Sequence, residues 1–272
     1  MTFRADLHCH TTCSDGTYTP ELLIQLAKKV GLSGLSITDH DTIDAYETAI
    51  PEAKKLGILL GTGVEFSSLF KHLSVHILAY GVSLNSESLH AFCARHQERR
   101  TQRNQRILDK LTARKMPITA DELIQDNLQS KTIGRPHIAK LMIKKGYVKT
   151  IKEAFTTYIG DGKSCFDEGE SFSVEETINL IHEAGGKAFL AHPHLLHNAK
   201  ATRELLELPF DGIECHYAKF TPDIEKQWVK AAQSKGLLMS GGSDFHGEDK
   251  HYLPLGSSWV DEASFRKIFP NL

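Results

Sequence analysis

Long apolar runs are missing from this sequence: no stretch approaches the roughly 18 consecutive apolar residues that span a bilayer. The N-terminus has no basic segment leading into an apolar run, so no secretory signal is expected. Cysteine is sparse and odd in number. Cys9, Cys13, Cys93, Cys165 and Cys215 are scattered without a C-x-x-C pair, which argues for free thiols in a reducing compartment rather than a disulfide framework. Excess charge of one sign is also absent. With 32 Lys and Arg against 34 Asp and Glu, the net charge is −2, so any polyanion must be met by a local patch. Neither an internal repeat nor a low-complexity segment is present. These absences lead us to expect a cytoplasmic protein with no membrane contact and no obligate protein partner.

What remains is 272 residues, 40% hydrophobic and 24% charged, enough for one large core or a core with a small subdomain. Strand and helix signals alternate. Residues 3–9, 34–38, 58–64, 74–80, 187–191, 212–215 and 237–240 read as strands. Thr19 and Pro20 open a helix that Gly31 stops, and a second helix lies near residues 45–56. Ser173 and Glu176 form a capping-box signature for a helix ending at Gly185 and Gly186. Repeated strand–helix units predict a parallel sheet, and about seven of them favour a closed barrel over an open sheet. Residues 85–160 break the alternation, with helical candidates at 86–115, 120–127, 136–145 and 151–158. The expected organisation is α/β: a barrel made of residues 1–84 and 161–272, with a small all-helical subdomain inserted at 85–160.

The unusual abundance is histidine, fifteen in all, gathered near predicted strand ends. In D-L-H-C-H, side chains alternate faces, so Asp6, His8 and His10 share one of them. Two imidazoles at i and i+2 on an inward face can hold one metal ion, whereas a lone histidine there is more often a satisfied core residue. Asp15 follows in S-D-G, where the plain reading is a turn aspartate. S-I-T-D-H-D places His40 just past the second strand, flanked by Asp39 and Asp41, either of which could hold an imidazole N–H or be a loop carboxylate. Glu65 falls at the tip of the third strand and His76 inside the fourth. His192 ends the fifth, with His194 and His197 nearby, and Asp244 and His246 follow the last. Six of the seven predicted strands thus end in a histidine or a carboxylate, and a barrel would bring those ends onto one rim. Nine candidate ligands (His8, His10, Asp15, His40, Glu65, His76, His192, Asp244 and His246) exceed the four that one tetrahedral zinc requires, so two or three ions are expected. Mixed imidazole and carboxylate donors suit manganese, iron or zinc better than calcium.

H-x-H, S-D-G, T-D-H-D, the strand-end glutamate, V-H-I, A-H-P and S-D-F-H stand in the order of the PHP (polymerase and histidinol phosphatase) family, which this sequence resembles. The resemblance implies a distorted (β/α)7 barrel with a trinuclear metal site, usually of manganese or a mixture with iron or zinc. Carried over residue by residue, one ion would be held by His8, His10, Glu65 and Asp244, a second by Asp15, His40 and His246, and a third by Glu65, His76 and His192. The insert, with E-R-R-T-Q-R and G-R-P-H-I-A, resembles the subgroup that hydrolyses nucleotide phosphates. That subgroup includes 3′,5′-nucleotide bisphosphate phosphatases and a related 5′→3′ exoribonuclease.

Arginines in the insert fit such a substrate. Arg99, Arg103, Arg106 and Lys110 recur at helical spacing near one face and could grip phosphate, unless that face is merely solvated. Arg135 and His137 lie in a G-R-P-H turn that opens a helix, where free N–H groups favour an anion; the alternative is a surface cap. Lys163, in G-D-G-K, and His216, after the sixth strand, are further candidates for substrate contact. The expected chemistry is metal-assisted phosphoester hydrolysis, with His192 or His194 protonating the leaving oxygen. The expected partner is a small phosphorylated nucleotide or a short 5′-phosphorylated RNA. Three rival readings are a histidinol-phosphate phosphatase, an amidohydrolase-type barrel, and a PHP domain kept as a non-catalytic scaffold or nucleic-acid-binding module.

Overall fold

The computed structural model describes residues 2–272 apart from 129, 131 and 171. Strand β1 (Ala5–Asp6) leads to helix α1 (Pro20–Lys29), strand β2 (Gly34–Ile37), helix α2 (Tyr46–Leu56) and the paired strands β3 (Leu59–Phe70) and β4 (Leu73–Tyr80). Helices α3 (Glu87–Ala113), α4 (Ala120–Gln125), α5 (Arg135–Lys144) and α6 (Ile151–Ala154) follow. The last of these runs into a π-helical turn, Phe155–Ile159. The chain ends with α7 (Val174–Glu183), β5 (Lys187–Leu190), α8 (Ala199–Leu205), β6 (Gly212–Tyr217), α9 (Pro222–Lys235), β7 (Leu238–Gly242) and α10 (Glu262–Ile268). Among the described residues, no helix is long and apolar enough to cross a membrane.

The local signals for helix ends act as expected. Thr19 accepts from Leu22 N with Pro20 at the first helical position, and Ser173 accepts from Glu176 N. Each supplies an acceptor to an N–H that has no partner within its helix.

Seven strands form one sheet in chain order. Pairing is parallel from β1 to β3 and from β5 to β7, but β4 runs antiparallel to both β3 and β5. The expectation of a wholly parallel sheet therefore fails at β4. Only Lys71 and His72, both at positive φ, separate β3 from β4. A parallel return would need a crossover of a dozen residues or more, so this connection can only make a hairpin. The hairpin also carries β3 six residues past its predicted end, through a register that pairs Glu65 with Leu78. Glu65 is therefore a buried mid-strand residue rather than a strand tip.

The sheet closes on itself. Leu7 N donates to Gly241 O at 3.1 Å and Asp244 N donates to His8 O at 2.8 Å, which ties the chain after β1 to β7 and its continuation. Gly242 permits the approach, because a Cβ there would come within 2.4 Å of His8. The result is a distorted, nearly closed seven-stranded barrel with helices outside it.

The inserted helices carry a hydrophobic cluster of their own, including Ile107, Leu111, Ile138, Met142 and Cys165. Helix α3 belongs to both bodies. Leu89, Phe92 and Cys93 in its first half pack with the barrel core, and Ile107, Leu108 and Leu111 pack with the insert. Between these apolar stretches lie His96, Arg99, Arg100 and Arg103, all buried. This order lays a band of guanidinium groups across the barrel mouth.

Candidate metal centre

Glu65 is the hub of the site. Its Oε2 lies 3.2 Å from His8 Nε2, 3.1 Å from His10 Nε2 and 3.3 Å from His40 Nδ1, and its Oε1 lies 2.7 Å from His76 Nδ1 and 3.0 Å from His192 Nε2. The five rings also touch in sequence around it. Their centroids are 5.3 Å apart for His8–His10, 4.7 Å for His10–His40, 5.1 Å for both His40–His76 and His76–His192, and 5.8 Å for His192–His8. A lone bridge pairs His40 with Glu65 in parallel, which is how the end of β2 delivers its imidazole.

The remaining candidates flank this ring. Asp244 Oδ1 is 3.6 Å from His8 Nε2 and 3.4 Å from His10 Nε2, while Asp15 Oδ1 is 3.3 Å from His246 Nε2. Ligand atoms therefore gather in three groups: His10, Asp15, His40 and His246; His8, His10 and Glu65; and His40, Glu65 and His76. All nine predicted ligands lie in one cluster, with His10 and His40 shared more widely than the sequence-derived sets foresee.

Ionised carboxylates face imidazoles of mixed protonation. Burial would raise Glu65, but the surrounding His40, His76 and His8 hold it well below the usual carboxylate range. Burial opposes ionisation of Asp15 and Asp244 as well, and His246 and His40 on the first, Lys250 and His246 on the second, hold both well below it. Burial pushes His40 down to about 3 and lowers His246, whereas against burial Glu214 and Glu65 raise His8 well above its ordinary value and Asp244 and Glu65 raise His10 to about 9, so metal would displace the protons of these two. Ionised carboxylates and neutral imidazoles are the forms that bind metal. Moreover, His10 Nε2 and His40 Nδ1 are buried and form no aligned hydrogen bond, despite their closeness to Glu65. Imidazole and carboxylate donors that converge without an aligned hydrogen bond are the arrangement a shared cation completes, so the residues fit the ions.

Backbone strain marks the same place. Asp41, His192 and Asp244 have φ of 57°, 24° and 54°, in the left-handed region that non-glycine residues rarely adopt.

Part of the supporting shell went unnoticed in the sequence. Glu214, fully buried, accepts from His8 Nδ1 at 2.8 Å and from His192 N at 2.6 Å, so one carboxylate from β6 orients two imidazoles. A charged residue inside the apolar I-E-C stretch of that strand was its available signal. Tyr217 donates to Asp244 Oδ2 at 2.9 Å and Lys250 Nζ donates to it at 3.0 Å. Asp6, expected on the face of His8 and His10, turns elsewhere. It accepts from Ser243 N, Ser243 Oγ, Gly256 N and His8 N, and burial raises its pKa to about 6. Asp39 accepts from Thr11 and Ser14 and so holds the turn after His10. Asp41 pairs with Arg100 and His96, and Ser67 N donates to it.

The Asp41–Arg100 pair carries a stability prediction. Burial would raise Asp41, but Arg100 and His96 hold it well below its ordinary value. Arg100→Met leaves this buried charge poorly compensated and should cost about 3–5 kcal/mol. Thermal unfolding followed by circular dichroism should drop by roughly 10 °C, and Asp41→Asn added to the variant should recover much of it. A loss below about 1 kcal/mol would show that the pair is not a structural tie.

A cavity of about 770 Å³ opens over the cluster, lined by Asp15, His40, His76, His246 and Lys250 on the barrel side and by Arg99, Arg100, Arg103 and Arg135 on the insert side. Of the arginines lining it, Arg103 has Nε and Nη2 buried without a hydrogen-bond partner and Arg99 only Nη1, its Nε and Nη2 donating to Glu170 O and Glu168 O. Arg135 lines the same space while donating to Asp161 and to Ile159 O. The predicted basic face divides. Arg106 and Lys110 pair with Asp167 at 2.8 Å and 2.9 Å, because a rise of about 1.5 Å per residue carries them past the cavity.

Other predicted contacts fall outside. His137 Nδ1 accepts from Gly134 N, and its Nε2 lies 3.0 Å from Ser130 Oγ, so the G-R-P-H turn is a helix cap. Lys163 is exposed. His216 pairs with Glu225 at 3.2 Å. The two candidate proton donors have different settings. His192 Nε2 faces Glu65, while His194 packs against Tyr217 and Phe220 at 5.0 Å and 4.8 Å between ring centroids. Burial, followed by His192, lowers His194 to about 4, so it carries little proton near neutral pH.

Comparison with known proteins gives a consistent picture. A model of the PHP domain matches residues 6–253. The chain is 34% identical over 248 residues to the 5′-3′ exoribonuclease Rnm of Escherichia coli (strain K12), covering 89% of this chain and 84% of that protein. It is 30% identical over 246 residues to the 3′,5′-nucleoside bisphosphate phosphatase of Chromobacterium violaceum, covering 89% and 86%. Its fold superposes on a Bifidobacterium adolescentis protein described as a metal-dependent phosphoesterase with a TM-score of 0.88 at 29% identity, covering 99% and 96% of the two chains.

Proposed function

The chain belongs to the PHP family, and from that premise we infer that it is a metal-dependent phosphoesterase that hydrolyses phosphate esters of nucleotides. The preferred substrate is a nucleoside 3′,5′-bisphosphate losing its 3′-phosphate, and a short 5′-phosphorylated RNA is the second reading. The observation that carries this is the set of unpartnered guanidinium N–H groups of Arg99 and Arg103, buried in the cavity that also holds His40, His76 and Asp15. A buried cationic donor without an acceptor is costly in the free protein and favourable once an anion arrives. One phosphate at the metal centre and another at the arginines describe a substrate with two phosphates. The relatives named as bisphosphate phosphatase and exoribonuclease support this class.

His8, His10, Glu65 and Asp244 would hold one ion; Asp15, His40 and His246 a second; Glu65, His76 and His192 a third, with manganese as the expected metal and iron or zinc as alternatives. When bound, such ions supply Lewis acidity toward the phosphate oxygens and the attacking water. Glu214 keeps His8 and the backbone of His192 in position, and Asp39 keeps the His10 turn in position. Arg99 and Arg103 would orient the remote phosphate, and the insert, residues 85–160, would cover the barrel mouth and limit water.

Chelation provides the test. Protein stripped of metal should lose turnover by at least about 10³-fold and regain it with manganese. Nucleoside bisphosphate should be preferred to mononucleotide, and both to histidinol phosphate. Full activity after verified metal removal, or a preference for histidinol phosphate, would overturn the reading.

A further inference from the structure

Among the groups around the centre is one cation belonging to the chain itself. The short turn Gly247–Lys250 follows directly on His246 and folds Lys250 back over it. Lys250 Nζ donates to Asp244 Oδ2 at 3.0 Å and lies 3.3 Å from His246 Nε2. His246 Nδ1 is 2.8 Å from the backbone oxygen of Asp244, which places the ring proton on Nδ1 and a lone pair on Nε2. That lone pair faces Lys250 on one side and Asp15 Oδ1, 3.3 Å away, on the other. The ammonium therefore occupies the His246 donor that a metal ion would use and pairs with Asp244 through Oδ2, while Asp244 Oδ1 faces His8 and His10. Its side chain is about one-third exposed (32%) and lines the 770 Å³ cavity, so it has somewhere to go.

We propose that Lys250 competes with metal for His246, so that the group His10, Asp15, His40 and His246 binds its ion more weakly than the rest of the centre. Two like charges a few ångströms apart in a poorly screened site repel strongly. Filling that group therefore requires Lys250 to leave His246 and swing into the cavity. The centre fills in two stages, the tight ions first and the Lys250-opposed ion last. The inference rests on the metal reading above but not on the reaction, and its test involves no substrate.

Metal-free wild type, Lys250→Met, Lys250→Gln and Lys250→Arg are titrated with manganese against a fluorescent chelator, with far-ultraviolet circular dichroism confirming the fold of each. Wild type should show a weak equivalent beside tighter ones. Met and Gln should tighten that weak equivalent by at least about tenfold, the tight ones should move less than about twofold, and Arg should remain weak. Weak-site affinity that is unchanged or reduced in the folded Met and Gln variants overturns the competition while leaving the metal centre intact. Failure of all four proteins to bind manganese overturns both. The Arg variant guards against loss of fold, since tight binding at the weak site with arginine present would also overturn the proposal.

Discussion

Glu65→Gln is expected to lower turnover by at least about 10³-fold, which corresponds to roughly 4 kcal/mol of transition-state stabilisation. The change keeps the shape of the side chain and removes only its charge. Five imidazoles lie within 3.3 Å of the two carboxylate oxygens, and each loses its ionised partner at once. An amide binds a divalent ion far less well than a carboxylate does, and its NH₂ would point a donor at lone pairs that should meet metal. Metal content, measured by elemental analysis, should fall by one equivalent or more alongside the rate. Glu65→Asp retains the charge but withdraws it by one methylene, and should fall between wild type and Gln. A Gln variant that is folded, fully loaded with metal and fully active would remove Glu65 from the centre.

Arg103→Met should act on a different quantity. Its guanidinium is buried, with Nε and Nη2 unpartnered, so substitution breaks nothing of note in the free protein. Burial, added to the nearby charges of Arg100, Arg135 and Arg99, pulls its pKa well below the ordinary arginine value. The site is thus poised for a counter-charge. Two charge-assisted hydrogen bonds to a phosphate contribute about 1.5–3 kcal/mol each, so KM for a nucleoside 3′,5′-bisphosphate should rise by roughly 10²-fold or more. The value of kcat should change little, because the contact is remote from the bond that breaks. A substrate with one phosphate should be almost unaffected, and thermal stability should hold or rise. Equal losses for one-phosphate and two-phosphate substrates would show that Arg103 serves the fold or the metals and not a second phosphate. Arg103 is a sharper probe than Arg135, because Arg135 already donates to Asp161.

Most of the candidate donors were legible in the sequence because they sit at places the backbone marks. H-x-H follows a short strand, T-D-H-D and A-H-P end strands, and S-D-F-H follows a glycine pair. Strand ends are where barrels build sites, so an excess of imidazoles and carboxylates there is informative without coordinates. Helix caps at Thr19 and Ser173 were readable for the same local reason. Glu65 was found but misplaced, because a charge in a strand suggests a strand end until its counter-charges are known. Glu214 escaped for that reason too, and Asp6 was grouped with His8 and His10 instead of with Ser243 and Gly256: each is a buried carboxylate whose justification lies elsewhere in the chain. The arginine band was seen on α3, yet which members face the cavity depended on Asp167, sixty residues away, drawing off Arg106 and Lys110.

The sequence alone determined the chemistry available: which residues can hold metal, that they fall at six of the seven strands, and that a basic helical insert accompanies them. Those properties belong to residue types and short spacings, which periodicity exposes. Only the tertiary structure decided that Glu65 stands inside a ring of five imidazoles, that Glu214 ties His8 to His192, and that Lys250 reaches Asp244 and His246. Coordination and charge compensation fall off within a few ångströms. His8 and Glu214 are 206 positions apart along the chain, so closure of the barrel is what brings them to 2.8 Å.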